Sequence, residues 1–448
     1  MTYSYQKIWS ISLPILFGMF IQQLIGLTDT AFLGRVGTVE LGASALAGVF
    51  YIMIFMLALG FGIGVQIITA RRNGEGRQDK IGEVIYQGIS ILLAAAVVII
   101  FLVSAGAPAV LREMISSPAV YQKSLDYLNI RIYGFLFAFP IVIFRSFYVG
   151  ITKTRVLTWS AVVMLLVNVG LDYALIFGKL GAPAMGIKGA ALASVISEAI
   201  AMLFFIVYML LRTNLQKYGL QHPIIYNRKV LQQILNLSVW TMLQYFISLA
   251  TWFLFLVAIE RLGENELAIS NILRSVSVFP YMVVTALGAA ANAITSNLIG
   301  AGRSEEILPT STRIVKMGYG IGTALVVLMA LFPRPMLRIY TDDPALVAQA
   351  IPAYYASLST FFTLVPGMIL LSVVSGTGET KTALYMEIIS MTLYMLNVWY
   401  VVIHLRADLY ICWTSEHSYN ILLTILTYVY LWHRLCCRDN PAENRLPS

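Results

Sequence analysis

Charge is what this sequence lacks. Only 12% of its 448 residues are Asp, Glu, Lys or Arg, 59% are hydrophobic, and the mean hydropathy is +0.79. Soluble domains average nearer to a quarter charged residues. A water-facing surface on a chain of this size needs many more charges, so much of this surface faces lipid. Histidine and cysteine are scarce too. His222, His404, His417 and His433 have no partners at zinc spacing. Cys412, Cys436 and Cys437 have neither metal-ligand nor disulfide-framework spacing. No Walker lysine sits in a glycine-rich loop, which argues against a built-in ATPase. No catalytic cluster is present either, so a membrane-embedded enzyme is disfavoured and no cofactor is expected. The first apolar run continues to about Leu33, too long for a cleavable signal peptide. The net charge of +8 is spread between apolar runs, with no basic stripe interleaved with aromatics. Nucleic acid is therefore not an expected partner.

What is present is a series of apolar runs, each near the roughly 20 residues that span a bilayer. They lie at about 10–33, 44–70, 81–106, 124–150, 156–178 and 186–211, then 234–259, 268–298, 311–333, 350–375, 382–405 and 409–432. The last is the weakest, because Glu416 and His417 fall inside it. The longest polar connection separates the sixth run from the seventh. It predicts an N-terminal lobe at 1–211, a linker at 212–233, a C-terminal lobe at 234–432 and a tail at 433–448.

The halves repeat. An offset of 226 pairs Gly37 with Gly263, Glu40 with Glu266, Gly62 with Gly288, Thr69 with Thr295 and Gly76-Arg77 with Gly302-Arg303. It still holds for Pro118 with Pro344, Pro140 with Pro366, Gly150 with Gly376 and Thr154 with Thr380. Chance likeness between apolar helices does not keep loop residues in register, so the chain is read as a duplication. Six helices per half make the repeats parallel. The expected fold is an all-α membrane protein of about twelve transmembrane helices, in two parallel six-helix lobes related by pseudo-twofold symmetry. With the N-terminus inside, inner segments carry eighteen Lys and Arg residues and outer segments nine, so both termini are expected in the cytoplasm.

Acids inside a span are costly and mark function by default. Asp29 lies in the first helix and Asp172 in the fifth, both in the outer half of the membrane on this orientation. Asn168 precedes Asp172 by four residues on the same helical face, and Gln22 precedes Asp29 by seven. Tyr127 and Ser194 fall at similar depth. Such a set can form an oxygen cage for Na⁺ or a carboxyl pair that shares a proton. The offset pairs Asp29 with Phe255 and Asp172 with Val398, so the constellation is confined to the first half. Glu387 is placed near an inner helix end. Glu198 and Glu416, matched at an offset of 218, read equally as helix braces or cavity lining. Arg145 and Arg274 are expected to snorkel toward helix ends. Gly60-Phe61-Gly62-Ile63-Gly64 sits inside a span and reads as close helix packing, not as a nucleotide loop.

These residues resemble a known family. Leu13-Pro14 and Gly26-Leu27-Thr28-Asp29-Thr30-Ala31-Phe32-Leu33-Gly34 look like the first helix of the multidrug and toxin extrusion (MATE) transporters. Asn168-Val169-Gly170-Leu171-Asp172, the run Gly189–Ser194 and the two six-helix halves fit as well. The likeness covers nearly the whole chain and looks closest to the DinF-type prokaryotic branch. It implies an antiporter in a prokaryotic inner membrane that exports amphipathic, cationic compounds, driven by Na⁺ or H⁺, and acting as a monomer. It implies a cation site at Asp29, Asn168 and Asp172 with Tyr127 and Ser194, a cavity-lining Gln22, and a bend of the first helix at Pro14. The other prokaryotic branch has a seventh-helix glutamate; here that helix offers Gln244, so no cation site is expected in the second half. The alternative is a flippase for lipid-linked oligosaccharides, whose cationic cavity is at odds with the acids here. A passive channel is disfavoured by the two-lobed repeat.

Overall fold

A computed structural model describes residues 3–221 and 226–436. His222, Cys437, Arg438 and Arg445, with most of the expected tail, lie outside the described residues. The described residues form fifteen α-helices: α1 Tyr5–Val36, α2 Thr38–Gly74, α3 Ile81–Met114, α4 Pro118–Arg131, α5 Phe135–Gly150, α6 Arg155–Phe177, α7 Ile187–Arg212, α8 Arg228–Glu260, α9 Glu264–Gly300, α10 Ile307–Leu331, α11 Pro333–Arg338, α12 Pro344–Ser359, α13 Phe361–Gly376, α14 Thr380–Val398 and α15 Leu409–Cys436. The described residues contain no strand. In hydrocarbon an unpaired backbone group costs several kcal/mol, and a helix satisfies every such group within its own segment.

Eleven of these segments are long and apolar enough to cross a membrane, counting α4 with α5 and α12 with α13 as single spans. The twelfth is α15, which carries Glu416, His417 and Asn420. The helices outrun the apolar runs that announce them. At 1.5 Å per residue the 37 residues of α2 measure roughly 55 Å, against about 30 Å of hydrocarbon. Thus α3 continues from the expected end near 106 to Met114 through Arg112 and Glu113, which suit a helix but not lipid.

The chain packs as two compact units. Of the described residues, 13–221 and 226–242 form one, and 243–436 together with 3–12 form the other. In the first, α2 packs on α3, α4 and α5, and α7 on α4, α5 and α6. In the second, α13 packs on α9, α10 and α15, and α14 on α15. The loop after α7 is tied into the first unit: Gly82 N–H donates to the Tyr218 carbonyl at 2.8 Å, and Phe147 meets Tyr218 edge to face.

The duplication reappears element by element. Helices α2 and α9, and α5 and α13, begin and end at residues 226 apart. The 3₁₀ turns Gln78–Lys80 and Ser304–Glu306 obey the same offset. The fine packing obeys it as well. A Cβ on Gly62 would meet Ser146 Oγ at 2.9 Å, and one on Gly288 would meet Ser372 Oγ at 2.7 Å. A Cβ on Gly150 would stand 2.8 Å from the Thr69 methyl, and one on Gly376 3.1 Å from Thr295 Cβ and 2.6 Å from the Asn292 carbonyl. The glycine run of α2 does serve close packing. Thr241 Oγ1 donates to the Gly60 carbonyl at 2.6 Å and Ser238 Oγ to the Phe61 carbonyl at 3.0 Å, with α8 backbone 2.7 Å from where a Gly60 Cβ would stand.

Gly150→Val and Gly376→Val should each destabilise the protein by about 1–3 kcal/mol, the usual cost of overpacking. Gly106→Ala and Gly170→Ala, where nothing lies within 4 Å of the new methyl, should leave stability unchanged or slightly raised. Thermal unfolding of the four purified variants in one detergent checks the contrast. Equal melting temperatures would contradict this account of the glycines.

Candidate functional site

Four helices bring polar groups to one place in the first unit. Asn168 and Asp172 lie one turn apart on α6 and are both fully buried. With its nitrogen turned toward the carboxylates, the Asn168 amide donates to Asp172 Oδ2 at 3.2 Å and to Asp29 Oδ1 on α1 at 3.1 Å. Asp29 is also within side-chain hydrogen-bonding reach of Asp172 and of Ser194 on α7. Asp172 Oδ1 is buried and has no hydrogen-bond partner among the described residues. The expected group of Asp29, Asn168, Asp172 and Ser194 is therefore assembled, and its carboxylates retain free acceptor capacity.

Tyr127, on α4, is buried beside this group. Its field partners are Arg131, Asp29 and Glu198, and it hydrogen-bonds Arg131. Arg131 is the residue that the sequence reading missed. It lies one turn beyond Tyr127 and is 9% exposed. Its guanidinium makes a bidentate pair with Glu198 on α7, at 2.8 and 2.6 Å, and stacks 3.8 Å from the centroid of the Tyr51 ring on α2. Tyr51 OH donates to Glu198 Oε1 at 3.4 Å. A signal existed. Arg131 and Glu198 are opposite charges at similar distances into two helices that start on the same side, and in lipid such charges need each other.

The local fold makes room for this pair. Between α4 and α5 the chain takes a 3₁₀ turn, Ile132–Gly134. A Cβ on Gly134 would stand 2.2 Å from Arg131 Nη1 and 2.5 Å from Glu198 Oε2. At the matching position the second unit has Thr360, and the counterpart of Arg131 is Ser357, so Glu416 there has no such arginine.

Gln22 and Pro14 lie apart from the acids. Gln22 lines a small cavity with Gly18, Leu157, Met164 and Phe205. Arg145, near the end of α5, donates to Gln22 Oε1 at 3.1 Å and lines the same cavity. Pro14 sits inside the continuous α1 helix, and Thr158 Oγ1 donates to its carbonyl at 3.0 Å.

Removing one partner of a buried pair leaves the other charge uncompensated, at a cost of about 3–5 kcal/mol. Arg131→Ala should therefore destabilise strongly, whereas Arg131→Met combined with Glu198→Leu should recover most of the loss. A double-mutant cycle on unfolding in detergent measures this, and additive effects would rule out the coupling.

Comparison with known proteins places this architecture. The MatE family model matches twice, at 14–174 and at 237–401, once in each half. A probable multidrug resistance protein NorM of Agrobacterium fabrum is 25% identical over 80% of this chain and 78% of its own length. A protein described in the same words from Pasteurella multocida is 25% identical over 86% of this chain and 83% of its own length. A solved structure described as the outward-facing conformation of a multidrug resistance MATE family transporter superimposes with a TM-score of 0.89. It shares 20% identity and covers 97% of this chain and 96% of the other. The chain belongs to the MatE family, whose members are membrane transporters and not enzymes.

Proposed function

We propose that this protein is a cation-driven antiporter that exports small amphipathic, cationic compounds from a prokaryotic cell across its inner membrane. The observation that carries the reading is the pair of carboxyls, buried Asp172 and half-buried Asp29, bridged by one amide. Two carboxylates side by side in a low dielectric do not both ionise cheaply, so the pair takes up a proton or shares a Na⁺ ion. Asn168 suits either ion. With its nitrogen toward the acids it supports a proton-sharing pair; after a half-turn its oxygen becomes a third ligand for Na⁺. Ser194 and Tyr127 orient Asp29, and the Arg131–Glu198 pair holds α4 against α7 behind them. Multidrug resistance is the activity in the names of the relatives.

In this reading the lobes 1–211 and 234–432 rock against each other, with 212–233 as a cytoplasmic linker and the tail from 433 also inside. Cation loading changes the charge beside α1 and bends that helix at Pro14, where the missing N–H weakens the helix ladder. That motion reshapes the cavity lined by Gln22. Drug and cation then weaken each other's binding by the same factor, as linkage requires. A single copy of the chain suffices for such a cycle.

Substrate flux in proteoliposomes with Na⁺ and H⁺ gradients imposed separately tests the reading. Asp29→Asn and Asp172→Asn should each reduce gradient-driven flux to that of empty liposomes while the protein remains folded and inserted. Normal flux in both variants would remove the coupling role of this pair. Orientation has its own test. An impermeant thiol reagent outside the cell should label Leu180→Cys, at an 84% exposed position, and not Gln216→Cys, also exposed. The reverse pattern would invert the topology.

A further inference from the structure

We infer that Glu387 is a second proton-binding site, in the unit that lacks any counterpart of Asp29 and Asp172. The inference extends the coupling reading to a second acid, but its test reads protonation directly and does not depend on that reading. Glu387 lies two turns into α14, toward the end where the sequence placed it, and is 3% exposed. Ser248 Oγ on α8 and Tyr419 OH on α15 both donate to its Oε1, the latter at 3.4 Å. The Gln244 side chain, one turn before Ser248, is also within hydrogen-bonding reach. Glu387 Oε2 is buried and has no partner among the described residues.

Among the described residues, the titratable groups around Glu387 include no cation that pairs with it. Tyr281 faces it from α9, and Tyr419 from α15. Glu416, on α15, faces Tyr419 and Tyr394, not Glu387 itself. His417 has both ring nitrogens engaged, by Ser359 and Thr363 at 3.0 Å each. On α8 the neighbours are the neutral Gln244 and Ser248.

An acid enclosed in this way carries a proton or holds an ion. The hydrogen bonds favour the proton. Both hydroxyls converge on Oε1, as they do on the carbonyl oxygen of a neutral carboxyl group, which leaves Oε2 to bear the hydrogen. A metal ion needs a shell of several oxygens, whereas a proton needs one lone pair. A residue required only for packing would serve as well as an amide, as Gln244 does beside it. An ionisable group here lets the pocket change charge when α14 or α15 moves and water reaches Oε2.

Infrared difference spectra between low and high pH, recorded on the full chain in lipid bilayers, test this. The stretch of the protonated carboxyl C=O is the readout. Glu387→Gln should delete one titrating component, Glu387→Asp should restore it, and Asp29→Asn should leave it in place. Tyr419→Phe should shift its frequency, because the C=O loses a donor. Replacing choline by Na⁺ at fixed pH should leave it unchanged. A full set of titrating bands in Glu387→Gln would overturn the proposal. Loss of the component on adding Na⁺ would overturn the assignment to a proton.

Discussion

In a hydrocarbon interior a polar group has no water to fall back on, and nearly every polar feature of this protein answers to that constraint. The backbone answers it by being helical. Hydroxyls answer it by bonding to the carbonyl one turn back, as Ser12, Thr28 and Thr30 do along α1. Arg131 answers it with a fork-to-fork pair and an aromatic face. What stands out against this economy is a carboxyl oxygen with nothing to bind. Among the described residues there are two buried ones within the spans, Asp172 Oδ1 and Glu387 Oε2, one in each unit.

The two units show how one backbone frame can hold different polar fillings. The glycines, the short 3₁₀ turns and the helix ends recur at a fixed offset because they decide how closely backbones approach, and no other residue fits those places. The polar side chains are not bound in that way. Arg131 is matched by Ser357 and Gly134 by Thr360, so the glutamate of α7 is held in an ion pair, while Glu416 of α15 is within hydrogen-bonding reach of Thr360. Packing was copied and chemistry diverged.

This also accounts for what could be read from the sequence. Span number, duplication and the Asp29–Asn168–Asp172 constellation were legible because each has a signature along the chain: apolar length, constant offset, or acids one helical turn from an amide. The Arg131–Glu198 pair was not read, because its partners stand 67 residues apart and each alone looks like an isolated charge. The enclosure of Glu387 was not legible for a related reason. Counting from the helix start puts it near water, but Tyr281, Tyr419 and Ser248, contributed by three other helices, close over it. Distance along one helix measures depth; it does not measure enclosure.

Residues 3–12 pack with the second unit, and Arg313 on α10 donates to the Tyr3 carbonyl at 3.1 Å. During synthesis the ribosome delivers residue 3 some three hundred residues before residue 313 exists. The Tyr3 carbonyl must therefore wait without its final partner while the residues between are made and inserted. A segment made early is thus completed late, by a contact that the second half of the fold supplies.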